Sequence, residues 1–300
     1  IPIQVSSTFI FLFMLFATFL KKSGIGDWLT DIAIGITGWA TGGPAKAAVI
    51  ASATQGTVSG SSVANTVSTG SITIPLMKSI GYRKEFAGAV EAAASTGGQL
   101  MPPIMGAAAF IMTEFLNVPY TTIIIAACIP ALLYFSGIFI TVHLEARKTG
   151  LTGMPKEKLP KWKDLFVKKW FLVTPIVGII YLLVKGYTPM IAAFYAIILC
   201  VVAAAFSKDT RMSLREIIEG LAEGARSALP VVAACATAGI IVGIITLTGL
   251  GLKMAGGIVA LAQGNIYLTM LFTMLCSLIL GMGVPTTANY IIQATVSAPA

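Results

Sequence analysis

Charged residues are scarce in this sequence. Asp, Glu, Lys and Arg make up 11% of its 300 residues, whereas an average soluble domain has about 25%. Hydrophobic residues make up 56%, and the mean hydropathy is +0.89. This composition excludes a soluble globule, which could not cover so much apolar surface, and a disordered chain, which needs the opposite composition. We therefore predict an all-α polytopic membrane protein, whose net charge of +8 reflects basic cytoplasmic loops rather than nucleic-acid binding.

The sequence also lacks the residues of common metal and nucleotide sites. It has one histidine, His143, and four cysteines, each inside an apolar run and none in a CxxC pair: Cys128, Cys200, Cys235 and Cys276. We interpret these cysteines as small buried hydrophobic residues. Without a His/Cys cluster or a GxxxxGK(S/T) motif, we expect no zinc, haem or other cofactor and no nucleotide-driven step. An ion gradient or another subunit would have to drive any transport.

Five apolar stretches are candidates for membrane-spanning helices, which need about 20 residues. They are residues 3–20, 119–142, 170–184, 188–206 and 228–252. Two further apolar regions, 43–103 and 266–300, are interrupted by glycine, proline, serine and threonine. Such interruptions predict re-entrant hairpins and a discontinuous helix, because irregular backbone at membrane depth must be buried or line a polar cavity.

Two segments are amphipathic rather than membrane-spanning. Residues 26–40 carry a helical stripe that includes Trp28 and Trp39, and residues 213–229 begin with Ser213 and Glu216 in a capping box. We expect both to be helices that lie along the membrane interface. Ordinary loops between spans remain the alternative.

Basic residues mark the cytoplasmic side. Lys21 and Lys22 follow the first span, and Lys78, Arg83 and Lys84 follow the first hairpin. Eight more lie in 147–169 and four in 208–226, so these loops hold 17 of the 20 Lys and Arg residues. If all these loops are cytoplasmic, the two hairpins enter the membrane from opposite faces.

An internal repeat agrees with that topology. Ser62-Val-Ala-Asn65 matches Thr286-Thr-Ala-Asn289 at an offset of 224 residues. We therefore predict an inverted repeat, with a first repeat over 1–147, a basic cytoplasmic loop over 148–169 and a second repeat over 170–300 that is truncated within its hairpin. Chance similarity within low-complexity apolar sequence is the alternative. Since the chain starts without Met and ends inside an apolar stretch, we expect a fragment of a longer protein.

Polar residues at the hairpin tips are the candidate binding residues. Hydroxyl groups, amides and half-helix ends offer neutral oxygens to Na⁺ and N–H groups to an anionic substrate. The alternative is close helix packing by small residues. At the first tip the candidates are Ser59, Gly60, Ser61, Ser62, Asn65 and Thr66, and at the second tip they are Gly281, Gly283, Thr286, Thr287 and Asn289.

The span after the first hairpin contains Thr96-Gly97-Gly98 and then Pro102-Pro103. Paired glycines and prolines should unwind this helix, and the freed carbonyl groups could bind a cation. A proline kink without a ligand is the alternative. We therefore expect a first Na⁺ site at Ser61, Asn65 and Gly97 and a second at Thr286 and Asn289.

Glu91 precedes this break by a few residues. A carboxylate inside a span is a candidate functional group by default, and burial would favour its protonated form. It is our candidate for coupling to Na⁺ or H⁺. The alternative is an ion pair with a basic residue near the cytoplasmic face.

Several motifs in combination resemble one transporter family. Ser59-Gly-Ser-Ser62, Gly70-Ser-Ile-Thr-Ile-Pro75, Met77-Lys78, Gly81-Tyr82 and Leu100-Met-Pro-Pro103 resemble the large membrane subunit of tripartite ATP-independent periplasmic (TRAP) transporters. The resemblance implies a permease of the ion-transporter superfamily that works by an elevator motion. It also implies a sodium gradient, an organic acid delivered by a periplasmic substrate-binding protein, and a bacterial or archaeal cytoplasmic membrane.

The sequence departs from the dicarboxylate and sialic acid branch of that family at both tips. That branch usually has an aspartate near the position of Asn65, and a Gly-Met-Phe-x-Asp-Pro pattern where this chain reads Gly281-Met-Gly-Val-Pro285. Lacking both carboxylates, the chain resembles the TAXI branch, whose permeases are often fused single chains. The small four-helix subunit lies outside this sequence. Rival interpretations are a binding-protein-independent elevator-type dicarboxylate/sodium symporter, a membrane-embedded enzyme and a structural subunit.

Overall fold

The computed structural model describes residues 2–155, 157, 159–160, 165, 169–207, 210–282 and 284–296, and all regular structure in these ranges is helical. This confirms the predicted all-α class. A π-helical turn, Ser6–Ile10, joins the first two helices, and a 3₁₀ turn, Trp170–Val173, precedes the ninth. In chain order the α-helices are α1 (Pro2–Val5), α2 (Phe11–Lys22), α3 (Ile25–Thr37), α4 (Gly43–Ser59), α5 (Ser62–Ser79), α6 (Lys84–Gly97), α7 (Ala108–Leu116), α8 (Tyr120–Lys148), α9 (Thr174–Val184), α10 (Pro189–Ala204), α11 (Leu214–Thr248), α12 (Leu250–Leu261), α13 (Ile266–Leu280) and α14 (Thr286–Val296).

Within the ranges that the structure describes, three helical stretches are long and apolar enough to cross a membrane. They are Ile3–Lys22, Tyr120–Lys148 and Leu214–Thr248. The predicted spans over 170–184 and 188–206 are also apolar helices, but shorter ones. The positions of all five predicted spans are therefore helical, as a polytopic membrane protein requires.

The chain divides into two compact units. One comprises Ile1–Phe11, Ala107–Pro119 and Arg226–Ala300, and the other comprises Leu12–Gly106 and Tyr120–Ala225. The first hairpin, helix α6 and residues 98–106 belong to the second unit, and the second hairpin belongs to the first unit. The predicted division into two repeats concerns internal symmetry, and it stays a prediction.

The first hairpin forms where the glycines and serines predicted it. Helix α4 begins with Pro44 in its first turn, where the missing N–H costs nothing. It ends at Ser59, and Gly60 follows with a φ of +60°, which is open to glycine but strained for other residues. Ser61 then caps α5, because its side-chain oxygen accepts a hydrogen bond from the Ala64 N–H. The tip is therefore only two residues long.

The discontinuous helix is also confirmed. Helix α6 ends at Gly97 and α7 begins at Ala108, and residues 98–107, here called the unwound segment, have no regular helix. Pro102 and Pro103 lie in this segment and are joined by a cis peptide bond. Tyr120, at the start of α8, holds the segment in place because its hydroxyl donates to the carbonyls of Pro103, at 3.1 Å, and Ile104.

Small residues allow α4, α5 and α6 to pack against one another and α8 to pack on α4 and α6. The buried core of this bundle is rich in alanine and valine, with few bulky side chains. Its members include Ala45, Ala48, Val49, Ala53, Met77, Ala87, Val90, Ala94, Phe135, Val142 and Ala146. Close helix approach of this kind brings polar side chains from three helices within hydrogen-bonding distance of one another.

The prediction for residues 213–252 was wrong in its boundaries. We expected an interfacial helix followed by a separate span, whereas α11 runs without a break from Leu214 to Thr248, through Pro230. The helical periodicity continues across the change from amphipathic to apolar sequence, and no glycine turn separates the two parts. The chain breaks instead at Gly249, with φ +65°, and α12 follows. The predicted capping box is confirmed, since Ser213 and Glu216 exchange hydrogen bonds.

The predicted stripe of α3 is only partly buried. Trp28 is buried, and its indole N–H donates to the Leu165 carbonyl at 2.8 Å. Ile36 and Trp39, which belong to the same predicted stripe, are 45% and 65% exposed. The inward face instead includes Ala33 and Ile34, because α3 packs mainly on α4.

Candidate functional site

A carboxylate lies at the centre of the first hairpin bundle. Glu91, on α6, is fully buried. Its Oε1 accepts hydrogen bonds from Ser52 Oγ at 3.0 Å, from Ser95 Oγ at 3.0 Å and from Thr69 Oγ1. Its Oε2 accepts one from Thr73 Oγ1. Four hydroxyl groups from three helices thus surround one carboxyl group, and we call these five residues the Glu91 cluster.

The cluster follows from simple helical spacing. Thr69 and Thr73 are four residues apart on α5 and therefore share one face, as do Glu91 and Ser95 on α6. Gly70 makes room for the carboxylate, because a Cβ atom at that position would lie 3.0 Å from Glu91 Cγ. The space that Gly70 leaves on α5 is therefore needed for the Glu91 side chain.

The described part of the chain gives Glu91 no basic partner. The ion pairs in this part of the chain are Lys22–Glu223, Lys84–Glu85 and Arg215–Glu219, all at partly or fully exposed positions. The alternative in which Glu91 pairs with a cytoplasmic basic residue thus finds no support among these residues. Burial of a charge without a counter-charge is costly unless hydrogen bonds satisfy it, and here hydroxyl groups have that role.

Asn65 lies next to this cluster. It is fully buried, and its Nδ2 donates to the backbone carbonyl of Ser52 at 2.9 Å. Its Oδ1 has no hydrogen-bond partner among the described residues. Gly98 lies against the same amide, since a Cβ atom on Gly98 would be 3.0 Å from Asn65 Nδ2. The unpartnered oxygen therefore belongs to a side chain that contacts both the hairpin and the unwound segment.

Three more buried oxygens near these elements also lack a partner among the described residues. They are Gln55 Oε1, Ser59 Oγ and Gln99 Oε1. Buried polar atoms in folded proteins are nearly always paired with protein, water or an ion. Neutral oxygens of this kind are ligands that a hard cation prefers. The first hairpin and the unwound segment thus supply acceptor atoms that suit a cation or ordered water.

The hairpin and the unwound segment approach each other backbone to backbone. A Cβ atom on Gly56 would fall 2.2 Å from Gly98 Cα, and one on Gly60 would fall 2.4 Å from the Met105 carbonyl oxygen. No side chain fits at either place. Position 56 therefore requires glycine because of the close backbone contact. Position 60 requires it both for its contact and for its positive φ.

The predicted residues of the first tip take different positions. Gly60 and Asn65 contact Met105 and Gly98 of the unwound segment, respectively, and Ser59 directly precedes Gly60. Gly97 lies under the ring of Tyr134, where a Cβ atom would be 2.4 Å from Cε1.

The remaining predicted residues of this region have local partners. Ser61 caps α5, Ser62 Oγ accepts from Gln99 Nε2 at 3.0 Å, and Thr66 Oγ1 donates to the Ser62 carbonyl. Thr96 is exposed on α6, and its hydroxyl donates to the Ala92 carbonyl. The structure does not bring Thr96 to the others.

Sequence reasoning missed most of the Glu91 cluster. Ser52, Thr69, Thr73 and Ser95 were not among the candidates, and neither were Gln55, Gln99 or Tyr120. One available signal was the polar spacing of Asn65, Thr69 and Thr73 at four-residue intervals on a helix. Ser52 had no comparable signal, because its role depends on how α4 packs against α5 and α6.

The asparagine of the second hairpin, Asn289, has different hydrogen-bond partners from Asn65. Gln293 Nε2 donates to Asn289 Oδ1 at 2.7 Å and to the Ser277 carbonyl at 3.0 Å. Gly281 lies against the same amide, since a Cβ atom there would be 2.7 Å from Asn289 Nδ2. Asn289 Oδ1 thus has a protein partner, whereas Asn65 Oδ1 has none among the described residues.

The other predicted residues of the second tip are less closely grouped. Thr286 is exposed and Thr287 is buried. Gly283 lies outside the described residues. Both predicted Na⁺ sites therefore stay predictions.

Comparison with known proteins places the chain among transport proteins. Residues 2–300 match the family model described as tripartite ATP-independent periplasmic transporter, DctM component. The C4-dicarboxylate TRAP transporter large permease protein of Vibrio cholerae is 34% identical over 51% of this chain and 32% of its own length. The protein of the same name from Pseudomonas aeruginosa is 30% identical over 67% of this chain and 47% of its own length.

One longer match covers almost all of the chain. The isethionate TRAP transporter permease protein of Oleidesulfovibrio alaskensis is 24% identical over 96% of this chain and 45% of its own length. The chain thus spans about a third to a half of the length of these curated relatives.

Proposed function

Because the chain belongs to the DctM family of tripartite ATP-independent periplasmic transporter components, we propose that it forms part of the membrane permease of a secondary active transporter. The observation that carries this proposal is the polar centre of the first hairpin bundle. Glu91 and Asn65 are fully buried in a chain with 56% hydrophobic residues, beside a helix that is interrupted for ten residues, 98–107. Irregular backbone and buried polar groups together are the usual form of a transporter binding site.

The proposed substrate is an organic acid. Relatives are named for C4-dicarboxylate, sialic acid and isethionate, all of which are anions at neutral pH. Helix α5 begins at the tip of the first hairpin, and its N-terminal N–H groups can bind an anionic group. Import of such an acid requires an energy source, which an ion gradient supplies.

The proposed coupling ion is Na⁺ or H⁺. For Na⁺, the first candidate site comprises Ser61, Asn65 and Gly97, supported by the unpartnered Asn65 Oδ1. The second comprises Thr286 and Asn289. For H⁺, the candidate is Glu91. An elevator-type motion of an inverted repeat would carry these sites across the membrane.

The proposed partners are a periplasmic substrate-binding protein and a small four-helix membrane subunit or fused domain. Curated relatives include both separate large permease proteins and single permease proteins. The TAXI-type fused arrangement is our proposal for this chain, because both tip carboxylates of the other branch are missing. The proposed location is the cytoplasmic membrane of a bacterium or archaeon, with several membrane passes. The family is one of transporter permeases, which favours transport over an enzymatic role.

Uptake into proteoliposomes tests this function. The full-length permease is reconstituted with its small subunit or fused domain, and radiolabelled organic acids are offered with the cognate binding protein under an imposed Na⁺ or H⁺ gradient. We expect uptake that requires both the gradient and the binding protein. Uptake without the binding protein would favour a dicarboxylate/sodium symporter, and gradient-independent uptake would overturn the proposal of secondary active transport.

A further inference from the structure

We propose that the Glu91 cluster is a proton site whose hydroxyl groups satisfy both the ionised and the protonated carboxyl group without a counter-ion. This inference rests on the proposed function for its role in transport, and it narrows the choice between H⁺ and Na⁺ at Glu91. It is carried by the hydrogen-bond geometry of four hydroxyl groups and the backbone carbonyls next to two of them.

The observed contacts supply donors to both oxygens of the ionised form. Ser52, Thr69, Thr73 and Ser95 each have one hydroxyl hydrogen, and each is within hydrogen-bond distance of a Glu91 carboxylate oxygen. Three of these hydroxyls lie at Oε1 and one at Oε2, and a carboxylate has about four acceptor sites in all. Hydrogen bonds to a charged acceptor are stronger than neutral ones, which offsets part of the cost of burying the charge.

The protonated form is satisfied by rotating hydroxyl hydrogens. A neutral Glu91 must donate its own O–H, and Thr73 Oγ1 can accept it. Thr73 then turns its hydrogen to the Thr69 carbonyl, which is 3.0 Å away. Thr69 has a similar second acceptor, the Asn65 carbonyl at 2.8 Å. Both threonines therefore have an alternative acceptor in place, and no heavy atom needs to move.

Ser52 adds a third adjustable group. Its Oγ lies 3.2 Å from Thr69 Oγ1, and either hydroxyl can be the donor. When Thr69 turns to the Asn65 carbonyl, its oxygen becomes free to accept from Ser52. Each hydroxyl group of the cluster thus has an acceptor for its hydrogen in both protonation states of Glu91.

The proton step itself is simple. A hydronium ion gives its proton to a Glu91 carboxylate oxygen, one O–H bond forms, one O–H bond of hydronium breaks, and a water molecule is released. The charge of the cluster changes from −1 to 0. No oxidant, reductant or further reactant is needed.

The charged groups described around Glu91 do not neutralise its carboxylate in place of a proton. Lys46, on α4, lies over the Phe139 ring at 5.4 Å from its centroid. The Tyr134 hydroxyl, on α8, donates to the Ala93 carbonyl, and that of Tyr82 donates to the Val142 carbonyl. The other titratable or charged residues on α4, α5, α6 and α8 are Lys78, Lys84, Glu85, Tyr120, Cys128, His143, Glu145, Arg147 and Lys148. Within the described part of the chain, none of the basic ones forms an ion pair with Glu91.

The cluster also lies next to Asn65. The Thr69 hydroxyl can donate to the backbone carbonyl of Asn65, and the Asn65 side-chain amide donates to the backbone carbonyl of Ser52. The backbone of Asn65 is thus connected to one cluster residue and its side chain to another. These contacts place the side chain with the unpartnered Oδ1 beside the proton site.

Infrared spectroscopy tests the proton site without any transport assay. The full-length permease, in lipid, is titrated over the pH range in which it stays folded, and the C=O stretch of a protonated carboxylic acid is followed. We expect a band that appears on acidification, shifts in D₂O and is lost in Glu91→Gln. Absence of any Glu91-dependent band over that range would overturn the proposal.

A second variant keeps the test decisive if Glu91→Gln fails to fold. Thr73→Val retains Glu91 but removes one hydrogen-bond partner, so the frequency of the band should change. The matched control is Thr141→Val, at an exposed position on α8, whose hydroxyl is bonded to the Gly137 carbonyl instead. Equal frequencies in wild type, Thr73→Val and Thr141→Val would contradict the proposed contact.

A transport arm then separates this proposal from the proposed function. Under an imposed pH gradient, Glu91→Gln should lose driven uptake but keep substrate exchange, because exchange needs no net proton movement. Normal driven uptake with unchanged pH dependence would overturn the coupling role. If the permease moves no organic acid but retains the Glu91-dependent band, the proposed function fails while the proton site stands.

Discussion

Asn65 and Ser52 are joined by a hydrogen bond from the Asn65 amide to the Ser52 carbonyl, at 2.9 Å, between the two arms of the first hairpin. The same serine donates its hydroxyl to Glu91. One residue on α4 therefore contacts both the candidate cation ligand and the candidate proton site. The two sites share Ser52, and a structural change at either site should therefore affect the other.

The first prediction concerns Asn65. Asn65→Ala should abolish gradient-driven uptake, because it removes the unpartnered Oδ1 and the hydrogen bond to the Ser52 carbonyl. A hydrogen bond contributes about 0.5–1.5 kcal/mol net, and the Ser52 carbonyl stays within helix α4, so the thermal stability should fall modestly while insertion continues. The matched control is Ser71→Ala, an exposed position on the same helix whose hydroxyl donates to the Ser68 carbonyl. Wild-type uptake by Asn65→Ala would favour a purely structural role for the tip.

The second prediction concerns the contact between Gly56 and Gly98. Gly56→Ala should lower the melting temperature of the purified permease and reduce uptake, since its Cβ would fall 2.2 Å from the Gly98 Cα. Overpacking of this kind costs about 1–3 kcal/mol or more. The control is Gly88→Ala on α6, where a Cβ atom meets nothing within 4 Å. Alanine is favoured over glycine inside a helix by roughly 0.5–1 kcal/mol, so Gly88→Ala should be neutral or slightly stabilising, and equal melting temperatures for the two variants would refute the close contact.

The third prediction concerns Tyr120, which secures the unwound segment. Tyr120→Phe keeps the ring but removes the donor to the Pro103 and Ile104 carbonyls. We expect a loss of about 1–3 kcal/mol in stability, the cost of a buried acceptor left unpaired, and faster proteolysis within residues 98–107. Tyr181→Phe serves as control, because Tyr181 is 59% exposed. An unchanged protease pattern in Tyr120→Phe would show that the segment is held by other contacts.

The fourth prediction concerns topology. Single cysteines placed in the loop over 149–163 should react with an impermeant thiol reagent only from the cytoplasm, and cysteines near Gly186 only from outside. The background must lack Cys128, which is the exposed native cysteine in the described part of the chain. Reaction of both loops from one side would contradict the inverted-repeat model.

Local chemistry explains which features could be predicted from the sequence. The turn at Gly60, the cap at Ser61 and the break after Gly97 depend on backbone preferences of the residues themselves, so their positions were predictable. The 35-residue helix α11 was not, because its sequence changes character halfway while its helical periodicity continues.

Tertiary packing explains most of what the sequence left open at the candidate site. Glu91 was predicted as a candidate because a carboxylate in an apolar helix is unusual. Its partners come from three helices, and no spacing along the chain identifies Ser52 as one of them. Likewise, the contact between Gly56 and Gly98 joins residues 42 positions apart in sequence.

The close approach at Gly56 and Gly60 restricts how a bound ion could leave. Lifting the hairpin from the unwound segment would expose bare peptide groups of residues 98–107, and lipid offers them no hydrogen-bond partners. No side chains are present at either contact to rotate and fill the gap. Opening of the tip alone is therefore costly, and the hairpin with its neighbouring segment should remain a single rigid piece whose exposure to either side of the membrane changes only when the whole piece is displaced.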